Sequence, residues 1–222
     1  AVLAAIAAMG INNRGATLRD VDNALRNELP NVASGSKLLF YWSGHGMTDA
    51  KGQRLFFCSD YTARLTDRVF NATLFLRELR TEDYSGFRSQ LVLADVCGTN
   101  SERPVRPAEY IPGVAGQRNQ LTYFATPEGG YALAGTGEGA FTHHALKILG
   151  AFPAFPDFNE FRERLNRELK ASDLPRYLLD GSAEDEQWET RVGRAATSED
   201  QTANSLIELL VGLETPHDTA LR

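Results

Sequence analysis

Hydrophobic residues along this chain fall into two alternating rhythms, helical spacing and short continuous runs. In "ATLRDVDNALRNEL" the apolar positions Leu18, Val21, Leu25 and Leu29 recur at three and four residues, which predicts a helix with one buried face. Thr17 is placed to cap its start, and Pro30 follows its end. The opening "AVLAAIAAMG" has helical spacing too and ends on a glycine, as a helix C-terminus does. Further helices are predicted from Asn71 to Arg80, in "AFTHHALKIL", and from Asp157 to Lys170. Between them lie runs with little polar alternation, "LLFYW", "QRLFFCSD", "QLVLADVC" and "LTYFAT", and a short last one in "RYLLDG". Continuous runs of that kind predict strands buried on both faces.

Helices alternating with buried strands indicate an α/β sheet covered on both sides, whose ligands sit at the carboxyl ends of the strands. A loop of about two dozen residues separates the strands "QLVLADVC" and "LTYFAT", and a glycine-rich turn, "PEGGYALAGTGEG", follows the latter. From residue 182 the chain turns acidic and polar until "ANSLIELLVGL", a short amphipathic helix candidate. Residues 1–181 are accordingly read as one domain and 182–222 as an acidic C-terminal extension.

Composition narrows the functions. A net charge of -6 with no lysine- or arginine-rich block argues against nucleic acid, since phosphate binding needs clustered cations. The longest apolar runs fall short of the roughly 18 residues of a membrane span, and no cleavable signal pattern precedes them, so a chain without a membrane partner is expected. Two cysteines in 222 residues make no disulfide scaffold, which favours a reducing, cytoplasmic setting, with a single bridge between Cys58 and Cys97 left open.

Two of the predicted strands end in chemistry. "LLFYWSGHG" delivers His45 and "QLVLADVCG" delivers Cys97, 52 positions later. If the strands are neighbours, the imidazole lies within reach of the thiol and stabilises its reactive thiolate, the requirement for nucleophilic catalysis by cysteine. Without a side chain at Gly46, its N–H can approach a substrate carbonyl and, with the N–H of Cys97, form an oxyanion hole.

"FYWSGHG" and "VLADVCG" resemble the histidine and nucleophile motifs of the caspase-like cysteine peptidases, which include caspases, metacaspases and many bacterial relatives. "YFATPEGGYALAGTGEGAFTHHAL" is similar to the caspase segment that binds substrate and leads into a helix. Three motifs in the right order, over roughly residues 1 to 180, identify the chain as resembling that superfamily, as a bacterial member. The resemblance implies an α/β caspase-like (caspase-hemoglobinase) α/β/α sandwich with a mostly parallel central sheet, whose first strand is expected to be missing from this chain. It also implies a protease that needs no cofactor, acts on protein or peptide substrates, and is controlled by a regulatory or sensor protein or domain.

The departures set the expected specificity. Two residues before the nucleophile stands Asp95, and period-two alternation sends it to the same side as Cys97. The resemblance to metacaspases implies that such an acid lines the pocket for a basic residue, where a carboxylate binds guanidinium and repels aspartate. The arginine with which caspases grip aspartate aligns with Ala134. The backbone of Ala132, Leu133 and Ala134 is expected to hold substrate as an added strand. Arg103, Arg106 and Arg118 lie in the loop between residues 98 and 120, where an Arg-specific enzyme could cut itself, although the plainer expectation is a solvated surface loop. Calcium is not expected, because Asp60 lacks acidic partners at the matching places, and no metal site is expected at His143 and His144, which read as structural residues on a helix. The rival expectation is a caspase-like interaction or regulatory module that leaves His45 and Cys97 unused.

Overall fold

The computed structural model describes residues 17–62, 64–99, 119–133, 139–174 and 177–180. The opening alanine-rich helix, the acidic extension with "ANSLIELLVGL", the boundary at residue 181, and Arg103, Arg106 and Arg118 lie outside them.

A four-stranded sheet forms the centre, in the order β1-β5-β6-β7. The strands β1 (Ser36–Gly44), β5 (Phe87–Val96) and β6 (Asn119–Phe124) run parallel, and β7 (Tyr177–Asp180) pairs antiparallel with β6. This is the α/β architecture expected from the buried runs, with the mostly parallel sheet that the resemblance implies. Strand alternation divides the side chains between two cores. Leu38, Phe40 and Trp42 of β1 join Val92, Ala94 and Val96 of β5 on one face. Leu91 and Leu93 of β5 join Leu121 and Tyr123 of β6 on the other.

Helix α1 (Leu18–Asn23) covers the first face with Val21. The expected cap is in place: Thr17 Oγ1 accepts from the Asp20 N–H at 3.2 Å, and the Asp20 carboxylate accepts from the Thr17 N–H at 3.4 Å. The helix then widens to a π turn over Ala24–Glu28 and tightens to a 3₁₀ turn over Leu29–Asn31, the turn that contains Pro30. Through these changes of pitch Leu25 and Leu29 still reach the same core.

Helix α2 (Ala72–Glu78) lies on the same face, and two buried glutamines fasten its end to the sheet. Gln90 Nε2 donates to the Leu79 carbonyl at 2.6 Å, while Gln120 Nε2 donates to the Leu76 carbonyl at 3.0 Å and to Gln90 Oε1 at 2.8 Å. These bonds satisfy carbonyls that a helix terminus leaves without partners. Helices α3 (Ala140–Leu149) and α4 (Phe158–Ala171) cover the opposite face through Phe141, Ala145, Phe161, Leu165 and Leu169. Among the described residues no helix is long and apolar enough to cross a membrane.

The run "QRLFFCSD" supplies β3 (Arg54–Phe57), the middle strand of a separate antiparallel sheet with β2 (Gly46–Thr48) and β4 (Val69–Asn71). Phe56 and Phe70 of this small sheet stack on Trp42, with ring centroids 5.4 and 5.9 Å away. Phe40, Phe75 and Phe124 extend the cluster. Because β2 continues β1 after His45 alone, this packing fixes the path of the chain through the histidine.

Candidate active site

The site is assembled at the carboxyl edge of the parallel strands. Strands β1 and β5 pair Ser43 with Asp95 and Gly44 with Val96. The next residues, His45 and Cys97, therefore leave two adjacent strand ends side by side. His45 is exposed, whereas Cys97 is 7% exposed and forms no disulfide. Cys58 forms none either, so no bridge joins the two cysteines.

The glycines flanking His45 serve different ends. Gly44 has φ +154°, a conformation that side chains disfavour. At Gly46 space is the constraint: a Cβ there would lie 3.0 Å from Val96 Cβ and 3.1 Å from the carbonyl oxygens of both Cys97 and Leu55. The direction of the Gly46 N–H follows from register. Gly46 pairs with Phe56, and one step away the Phe57 N–H donates to the His45 carbonyl at 3.0 Å. Hydrogen-bonded and non-hydrogen-bonded pairs alternate in antiparallel ladders, so Gly46 occupies a non-hydrogen-bonded pair and its N–H points away from β3. Two residues on, the Thr48 N–H leaves the same edge and donates to the Thr99 carbonyl at 2.8 Å. The Gly46 N–H thus faces the edge along which Cys97, Gly98 and Thr99 run.

That run is held on both sides. The Gly98 N–H donates to the Gly130 carbonyl at 2.8 Å, and the Gly98 carbonyl accepts from the Gly129 N–H at 2.7 Å and from Thr48 Oγ1 at 2.9 Å. Arg54, 5% exposed, lies below it and donates from Nη2 to the Thr126 carbonyl at 2.8 Å.

Asp95 is 5% exposed, on the face covered by α3. Its Oδ2 accepts from the Thr142 N–H at 3.0 Å and from Thr142 Oγ1 at 2.5 Å, and Thr142 Oγ1 lies 2.9 Å from the Tyr41 hydroxyl. A carboxylate meets the first turn of α3, where N–H groups lack helical partners and the dipole favours negative charge. Gly139 gives it room, since a Cβ there would lie 1.9 Å from Asp95 Oδ2. The residues expected to hold substrate as a strand are partly occupied: Ala132 and Leu133 pack against the α3 core, and the Leu133 carbonyl accepts from the Ala140 N–H at 2.9 Å. Ala134 lies outside the described residues.

Sequence reading missed Arg54 and Thr142. A charged residue inside the apolar run "QRLFF" is a signal that would have found Arg54. Thr142 gives no comparable signal, because its partners are distant in sequence. The remaining candidates have other roles. His144 Nδ1 lies 3.0 Å from Glu168 Oε1, joining α3 to α4, and Asp60 Oδ1 accepts from the Leu18 N–H at 3.0 Å. Among the described residues no three His, Cys, Asp or Glu side chains gather as metal ligands do.

No family model matches this chain, and no curated protein matches it. Among solved structures it is similar to protein GSU0716 from Geobacter sulfurreducens, with a TM-score of 0.52 and 14% identity over 80% of this chain and 78% of that one. It is also similar to caspase-1 from Spodoptera frugiperda, with a TM-score of 0.47 and 12% identity over 79% of this chain and 64% of that one, under two thirds of the caspase's length.

Proposed function

We propose that the chain is a cysteine endopeptidase in which Cys97 attacks the carbonyl of a peptide bond that follows Arg or Lys. The observation that carries this reading is the β1–β5 register, which sends His45 and Cys97 out of neighbouring strand ends. The Cys97 thiolate adds to the carbonyl carbon, and the N–H groups of Gly46 and Cys97 receive the oxyanion. Collapse of this intermediate breaks the C–N bond as His45 donates its proton to the leaving amine, leaving a thioester. His45 then takes a proton from water, the hydroxide adds to the thioester, and the acid leaves with Cys97 released.

In this reading Asp95 supplies the negative charge that selects a basic side chain, and α3 holds that carboxylate in place through Thr142. A partner or sensor domain would supply control.

The test is hydrolysis of fluorogenic peptides ending in Arg, Lys or Asp by wild type and by Cys97→Ala. Cleavage after Arg or Lys that disappears in the variant is the expected result. Cleavage after Asp would keep the dyad and overturn the role of Asp95. Failure to cleave any of the three, together with a Cys97 no more reactive to a thiol probe than Cys58, would favour the interaction module.

A further inference from the structure

We propose that Arg54 is a positioning residue of this site, a buried guanidinium that forms the floor under the Cys97–Gly98 peptide and keeps a permanent positive charge beside the thiol. The inference rests on the reading of Cys97 as the nucleophile.

Gly98 is closed in from below. A Cβ built on it would stand 2.0 Å from Arg54 Nη1, 2.9 Å from Arg54 Cζ and 2.5 Å from the Pro127 carbonyl oxygen. The Gly98 Cα therefore rests directly on the guanidinium, which puts Nη1 within roughly 7 Å of the Cys97 Cα, since consecutive Cα atoms are about 3.8 Å apart. Arg54 is itself held from three sides. Its N–H donates to Thr73 Oγ1 at 2.8 Å, its Nη2 donates to the Thr126 carbonyl at 2.8 Å, and its Cζ lies 5.0 Å over the Phe124 ring. Thr126 and Phe124 belong to the end of the strand beside β5, so one planar group joins β3, the end of β6 and the nucleophile's loop.

The residue type matters because burying a cation is costly, and a guanidinium does not lose its proton to escape that cost. A fixed charge in this position stabilises the thiolate before attack and the tetrahedral oxyanion after it. Among the described residues, the elements around Cys97 also carry Lys37, Tyr41 and His45 on or just after β1, Arg88 and Asp95 on β5, Asp49 and Lys51 after β2, Glu128 and Tyr131 after β6, and His143, His144 and Lys147 on α3. Lys37 and Arg88 stand at the opposite, amino ends of their strands and the acids oppose the thiolate, so Arg54 is the arginine whose charge lies against the nucleophile's own peptide.

The experiment measures the rate of iodoacetamide alkylation of Cys97 against pH, read by peptide mapping so that Cys58 is scored separately. Wild type, Arg54→Lys, Arg54→Met and Arg54→Gln are compared, each first shown to unfold cooperatively. The alkylation midpoint is expected to rise by about one pH unit in Arg54→Met and to stay near wild type in Arg54→Lys, which keeps the charge. In peptide hydrolysis, Arg54→Met should lower kcat with little change in KM. An unshifted midpoint in folded Arg54→Met overturns the inference. Should that variant not fold, Arg54→Gln decides, because it removes the charge while keeping an N–H donor for the Thr126 carbonyl: a raised midpoint supports the proposal and an unchanged one overturns it. A wild-type midpoint near the ordinary thiol value of about 8.5 would instead defeat the dyad reading, and this inference with it. A low wild-type midpoint that Arg54→Met leaves in place defeats the inference alone.

Discussion

Cys58 and Cys97 are both buried cysteines outside any disulfide, yet their surroundings differ in ways that can be measured. Burial pushes the Cys58 thiol up from 9.0 to about 12; Asp60 pushes it the same way, while Arg68 and a backbone hydrogen bond to Phe70 offset part of the rise. Between those two values an unfolded chain ionises Cys58 and a folded one does not. Stability linked to this thiol is therefore complete below pH 9 and is lost as pH rises toward 12. Denaturant titrations at increasing pH should show wild type losing more stability over that window than Cys58→Val, a change of similar volume. Gly46 supplies a second prediction. Its missing Cβ would meet Val96, Cys97 and Leu55 at 3.0 to 3.1 Å, so Gly46→Ala must shift the edge that carries its N–H. Peptide hydrolysis should fall by about 10²- to 10³-fold, the usual cost of losing one oxyanion donor, in a protein that still folds. At this scale His45, Gly46, Asp95 and Cys97 were legible because strand ends and glycines mark themselves locally. Arg54 and Thr142 were not, because what defines them is contact across the fold.

Between elements, the joint that matters most is α3 against the sheet. Its first turn meets Asp95 of β5 and Tyr41 of β1 through one threonine hydroxyl. Thr142→Val removes that hydroxyl at nearly constant size, and the expected loss is about 1–3 kcal/mol in thermal or denaturant unfolding, with Thr142→Ser recovering most of it. On the opposite face Gln90→Leu would leave the Leu79 carbonyl without its donor and Gln120 without one of its two acceptors. A cost of similar size is expected there, read as a lower denaturation midpoint with an unchanged slope. The helical rhythm of α1 and its cap were legible because both are local patterns. The two short strands β2 and β4 were not, since three residues display no alternation and their pairing depends on β3 between them. The π and 3₁₀ turns after α1 were hidden for a related reason, as Leu25 and Leu29 reach the same core through a change of pitch that spacing alone does not record.

Across the whole molecule, a parallel sheet with helices on both faces leaves its strand carboxyl ends as the natural place for ligands, and the chain puts its histidine and cysteine there. The small sheet and its aromatic cluster lie directly behind this edge. Trp42, 9% exposed, stacks on Phe40, Phe56 and Phe70, and its Nε1 has no hydrogen-bond acceptor among the described residues. That nitrogen is 3.6 Å from where a Gly44 side chain would begin, on the residue just before His45. An indole seated in hydrocarbon with its N–H unbonded emits at short wavelength and brightens or shifts when water or a polar group reaches it. The chain holds one other tryptophan, Trp188. With Trp188→Phe in the background, Trp42 becomes an optical gauge, already installed, of whatever arrives at the histidine.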